Sequence, residues 1–108
     1  MSEIRGKYNA KKTEVDGRVF DSRAEARRYS ELCLLEKMGE ISEIECQPKI
    51  NIEVNGKHIC NYIADFRYID NQQEHEVIED VKGMKTPVYR LKKKLVEALY
   101  GIEITEVV

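Results

Sequence analysis

The chain has 108 residues, of which 42% are hydrophobic and 35% charged, with a net charge of −2 and no tryptophan. That length buries a core without disulfides or a structural metal, and the composition excludes a chain disordered throughout. No apolar run approaches the ~20 residues of a membrane helix, and the N-terminal MSEIRGKYN lacks the apolar centre of a signal peptide. One domain in the cytoplasm, with no membrane partner, is the expectation.

Residues 1–12 show no periodicity and several basic side chains, so they read as a loose arm ahead of a single domain over 13–108. TEVDGRVF then places Asp16 and Gly17 between two short β-prone runs, a hairpin signal. Ala26, Tyr29, Leu32, Cys33 and Leu35 recur at helical spacing and predict a helix from Ser22 to about Met38, stopped by Gly39. From Ile41 to Val54 apolar residues tend to alternate, with Pro48 interrupting and Asn55-Gly56 making a tight turn. The return strand runs from His58 to Ile69, and NQQEH leads into a third strand over Glu76–Lys82. Thr86 and Pro87 form a helix start, and Val88, Leu91, Leu95 and Leu99 trace its apolar stripe as far as Gly101. Residues 102–107, IEITEV, make a last strand, giving the order hairpin, helix, three strands, helix, strand.

Cys33, Cys46 and Cys60 are odd in number and form no CxxC pair, so they read as reduced core thiols. His58 and Cys60 lack the second close ligand pair that a structural zinc site needs. Charge is unevenly spread. Residues 82–94 hold Lys82, Lys85, Arg90, Lys92, Lys93 and Lys94 with no acid, whereas residues 29–80 hold twelve acids against four bases. A basic stretch of this kind suits phosphates, although it is also a common way to keep a helix soluble.

Strand parity projects Asp80 and Lys82 to one side and Val77, Glu79 and Val81 to the other. It sets Asp65 with Ile63 and Arg67, opposite Cys60, Tyr62, Ala64 and Phe66. If the two strands pair, Asp65 and Asp80 become neighbours whose repulsion a divalent cation relieves, and Lys82 can orient a water or stabilise charge growing on phosphorus. The plain alternative is an exposed same-face ion pair worth roughly 0–1 kcal/mol. Glu25 also has two readings. Ser22-Arg23-Ala24-Glu25 fits a capping box, and the same carboxylate, in the first turn of the helix, could point toward the sheet.

The series FDSRAEARRYSELCLLEKMGEISEIECQP, YIADFRYID, VIEDVKG and TPVYRLKKKLVEALYGIEI resembles a small family of phage and prophage proteins of unassigned function within the PD-(D/E)xK nuclease superfamily. The likeness runs from about Tyr8 onward. More distantly, the chain resembles archaeal Holliday junction resolvases and the catalytic domain of a transposition endonuclease. The resemblance implies an α/β restriction-endonuclease-like core, a mixed β-sheet flanked by helices. It implies that Glu25, Asp65, Asp80 and Lys82 are catalytic, and that Mg²⁺, with Mn²⁺ as a substitute, is held by Asp65, Asp80, Glu25 and the Val81 backbone carbonyl. Ala64 stands where the motif name has proline. Glu79 competes with Asp80 for the second acidic position, and only a bulge would turn it toward the site.

The activity so implied is a Mg²⁺-dependent endodeoxyribonuclease that leaves 5′-phosphate ends and works in the cytoplasm of a bacterial host. Branched DNA is the substrate class of most interest, and its resolution would call for a homodimer. Lys85, Arg90, Lys93 and Lys94 are candidate DNA contacts, with Gln47 and Tyr89 beside them; a pleated strand and a solvated helix face account for these almost as well. The rival reading is a non-cleaving DNA- or protein-binding module that retains the nuclease fold.

Overall fold

The protein is described here by a computed structural model covering residues 12–107. Eight strands and two helices follow one another as β1 (Thr13–Val15), β2 (Arg18–Phe20), α1 (Arg23–Lys37), β3 (Ile41–Cys46), β4 (Lys49–Val54), β5 (Lys57–Ile63), β6 (Phe66–Asp70), β7 (His75–Val81), α2 (Pro87–Tyr100) and β8 (Ile104–Val107). The expected basic arm and Val108 lie outside the described residues.

Local chemistry sets most element ends. The turns Asp16-Gly17 and Asn55-Gly56 both have positive φ at their two central residues, the geometry that matches strand twist in a two-residue hairpin. Ser22 caps α1 by accepting the Glu25 amide at 3.1 Å, and Thr86 caps α2 by accepting the Tyr89 amide at 3.1 Å, with Pro87 at the first turn. Gly101 closes α2 in the left-handed conformation.

The central sheet has the order β3-β6-β7-β8, antiparallel except for the parallel pair β7–β8. It is a mixed sheet with a helix-covered core on each face. On the α1 side, Ala26 and Leu32 of the helix pack with Phe20, Ile41, Phe66 and Tyr68; on the α2 side, Tyr89 and Val96 of the helix pack with Ile52, Tyr62, Ala64, Ile78 and Ile104.

The long strands expected over 41–54 and 58–69 are each divided in two, so the order has more strands than the sequence suggested. Pro48 has no amide to donate, and Gln47 before it takes a left-handed φ of 55°. Opposite, the return strand breaks at Ala64 and Asp65. Two backbone bonds clamp the joint, Gln47 N to Asp65 O at 2.9 Å and Ala64 N to Pro48 O at 3.1 Å. Beyond it β4 and β5 form their own two-stranded ribbon, which carries α2, while β3 and β6 enter the central sheet. Inward alternation survives the bend, but its target changes: Tyr62 and Ala64 pack under α2, Phe66 and Tyr68 under α1.

The apolar stripe expected on α2 is corrected. Tyr89 and Val96 are the buried residues, whereas Val88, Leu91 and Leu99 face outward and Leu95 is half-buried. The helix is rolled so that Tyr89 reaches β8 and Lys92 reaches the Asn61 carbonyl, at 2.8 and 3.0 Å. Leu91, 59% exposed, should therefore accept glutamine with a change in unfolding free energy within about 0.5 kcal/mol, while Val96→Ala, at a fully buried site, should cost about 2 kcal/mol. Urea unfolding of both variants checks this, and a comparable loss for Leu91→Gln would restore the stripe read from the sequence.

Candidate functional site

β7 carries two consecutive acids, Glu79 and Asp80, each only 1% exposed. A strand sends neighbouring side chains to opposite faces, so the two carboxylates meet different surroundings. Glu79 turns toward α1, where Arg28 grips it with Nε to Oε1 at 2.8 Å and Nη2 to Oε2 at 2.6 Å, and the Tyr68 hydroxyl donates to Oε2. This forked pair satisfies the buried charge. Glu79 is thereby turned toward α1, away from the face that carries Asp80, and no bulge brings it back.

Asp80 turns toward α2 and has no such partners. Both carboxylate oxygens are buried without a hydrogen bond, and the Lys82 ammonium stands 3.5 Å from Oδ1, beyond the usual length of a charged hydrogen bond. Burial pushes the Asp80 carboxyl up to about 6 against the pull of Lys82. Lys82 also lies over the Tyr89 ring, 4.5 Å from its centroid.

Asp65 occupies the joint between β5 and β6. The β6–β7 register pairs Phe66 with Glu79, and one further step sets Asp65 opposite Asp80. The Asp65 amide donates to the Glu79 carbonyl at 3.1 Å, and its Oδ2 accepts the Val81 amide at 2.7 Å. It is thus the Val81 amide, not its carbonyl, that contacts Asp65.

Glu25 reaches Asp65 from the first turn of α1. Its amide completes the Ser22 cap, and its carboxyl lies close enough to Asp65 for that acid to raise the cost of ionising it. Burial first, then the charge and hydrogen bond of Asp65 and the charge of Asp21, push the Glu25 carboxyl up to about 7, partly offset by Lys82. The structure therefore brings together Glu25 with Asp65, and Asp80 with Lys82. Among the described residues no three His, Cys, Asp or Glu side chains form a ready-made metal cage.

Lys85, Arg90, Lys93 and Lys94 line one groove of about 240 Å³ with Glu97 and Glu106. Two of the four cations are already paired, Lys85 with Glu106 at 2.8 Å and Lys93 with Glu97 at 3.2 Å. Gln47 is exposed and tied by its backbone to Asp65, away from that groove. Sequence reasoning missed the Arg28 and Tyr68 clamp and the Lys82–Tyr89 contact. Arg28 carries a readable signal, since it follows Glu25 by three residues and so shares its helix face.

Residues 5–107 match the family described as "Protein of unknown function (DUF1064)", and the chain belongs to that family. A search of curated proteins finds no match.

The two raised carboxyls have a consequence for stability. Each binds its proton more tightly in the folded chain than in the unfolded one, so its contribution is fully present below the ordinary carboxylate range and is lost as pH rises through about 6 for Asp80 and about 7 for Glu25. In metal-free buffer Asp80→Asn and Glu25→Gln should each raise the melting temperature at pH 8 and do so by less at pH 5. Thermal denaturation at the two pH values decides it; shifts of equal size would remove the buried-charge account.

Proposed function

We propose that the protein is a metal-dependent endodeoxyribonuclease of the PD-(D/E)xK type, with the restriction-endonuclease-like core that its motifs imply. The observation that carries this reading is Asp80: a buried carboxylate with no hydrogen bond to either oxygen and a single loose ion pair, to a lysine two residues on. Burying a charge without donors is costly, and a bound cation removes the cost. Mg²⁺ commonly takes one or two carboxylates and keeps several waters, so the residues fit it without three acids converging beforehand.

Asp65 and Asp80 would hold the ion, with Glu25 and the Val81 carbonyl as further oxygen donors. When bound, it supplies positive charge beside the scissile phosphate and lowers the pKa of water. Glu25 would support the ion or a water beside it, and Lys82 would position that water. Lys82 offsets negative charge growing on the phosphoryl oxygens. Arg90 and Lys94, exposed and without ion-pair partners among the described residues, meet backbone phosphates along the groove. The substrate is DNA in a bacterial host's cytoplasm, with phage-type branched DNA the substrate class of first interest and a homodimer the matching assembly.

The alternative, a DNA- or protein-binding module that does not cut, draws on the pairing of Lys85 and Lys93 with acids and on the lack of a closed acidic cage. Supercoiled plasmid separates the two. The purified protein should nick it with Mg²⁺ or Mn²⁺ and leave 5′-phosphate ends, and Asp80→Asn or Lys82→Ala should lower the rate by ~10²-fold or more. DNA binding without nicking would favour the module, and nicking unchanged in both variants would point to a contaminant.

A further inference from the structure

Lys82 follows the last residue of β7, and its side chain is only partly buried. A lysine stem has four rotatable carbons, so an ammonium that must sit at one place beside a phosphate needs more than one contact. Its contact with Asp80 is loose at 3.5 Å, and Asp80 is the carboxylate a cation would occupy.

The second contact is the face of Tyr89. The Nζ lies 4.5 Å from the ring centroid, well inside the ~6 Å range of a cation–π interaction. The ring is anchored at both ends. At the backbone, the Tyr89 amide donates to Thr86 Oγ1 in the first turn of α2. At the hydroxyl, Tyr89 donates to Glu106 Oε2 at 2.8 Å, across to β8. Glu106 is fixed in turn by Lys85, whose Nζ is 2.8 Å from Oε1. The Tyr62 ring packs alongside, with centroids 6.3 Å apart. Donation to a carboxylate also enriches the phenol ring in electron density, which strengthens its hold on an ammonium.

We infer that Tyr89 is a positioning residue for Lys82, with Glu106 as the anchor that fixes the ring. The inference rests on the nuclease reading for its kinetic consequence alone; the contact itself is testable without any activity. It also gives Lys85 and Glu106 a role other than phosphate contact. Lys85 neutralises Glu106, so that Glu106 holds the tyrosine and does not draw Lys82 away.

The experiment is NMR of the Lys82 side chain together with cleavage kinetics. An ammonium over an aromatic face carries its neighbouring CεH₂ protons upfield by the ring current, and the signals are assigned by their loss in Lys82→Ala. Wild type and Tyr89→Phe should show the upfield shift, and Tyr89→Leu should return the signals to the position of a free lysine. Tyr89→Met replaces Tyr89→Leu if the latter does not fold, since either removes the π face. In plasmid nicking, Tyr89→Leu should lower kcat roughly tenfold with KM for DNA little changed, and Tyr89→Phe, which keeps the ring face but loses the bond to Glu106, should recover only part of that loss. Lys82 signals at ordinary positions in the wild type, or a kcat unchanged in Tyr89→Leu, would overturn the inference. A wild type that never cleaves while the ring-current shift follows the tyrosine defeats the nuclease reading and leaves the Tyr89–Lys82 contact supported.

Discussion

Two adjacent carboxylates buried in one strand impose the constraint on which this structure turns. Strand geometry forces Glu79 and Asp80 to opposite faces of the sheet, so no single set of donors can serve both. On the α1 face Glu79 receives an Arg28 fork and a tyrosine hydroxyl, and that cluster ties α1 to the central sheet. On the α2 face Asp80 receives no hydrogen bond. Its ion pair is with Lys82, at 3.5 Å from Oδ1, and a buried carboxylate so loosely held adds little to stability, which is the ground for proposing a ligand there.

The joint in the long hairpin is what brings other charged residues near that carboxylate. Had β5 and β6 run on as one strand, they would have stayed in a single sheet. The break lets β4 and β5 swing out to carry α2, and it leaves Asp65 in the corner, one register step from Asp80 and within reach of Glu25. Asp65 has a structural role, since its Oδ2 accepts the Val81 amide, and it also stands near enough to Glu25 to raise that carboxyl's pKa. The first turn of α1, the hairpin joint and the end of β7 thus supply two pairs of charged residues, Glu25 with Asp65 and Asp80 with Lys82, with the basic groove lined by Lys85 and Glu106 on the side of α2.

Much of this was legible in the sequence wherever the determinant is local. Asp16-Gly17, Asn55-Gly56, Ser22 and Thr86 specify their own backbone conformations and appear where expected. Parity alone separated Glu79 from Asp80. The failures share a non-local cause. Val88, Leu91, Leu95 and Leu99 make a better apolar stripe than Tyr89 and Val96, yet the roll of α2 is set by bonds to Glu106 and Asn61 on other strands. Pro48 announced a break in one arm of the hairpin, but nothing in YIADF marks the break in the other, which follows from pairing across the joint. The Arg28–Glu79 clamp spans 51 residues, so local pattern places Arg28 on the Glu25 face of its helix but does not reveal its partner.

The account's central claim is that Asp80 belongs to a cation site, and the melting temperature under Mn²⁺ titration tests it most directly. A ligand that binds the folded chain alone stabilises it by mass action, in step with its concentration over its dissociation constant. Wild-type protein should therefore melt higher as Mn²⁺ rises through the millimolar range, and Asp80→Asn should lose most of that gain while remaining folded. A rise of the same size in the variant and the wild type would contradict the claim and return Asp80 to the role of a buried charge without a ligand.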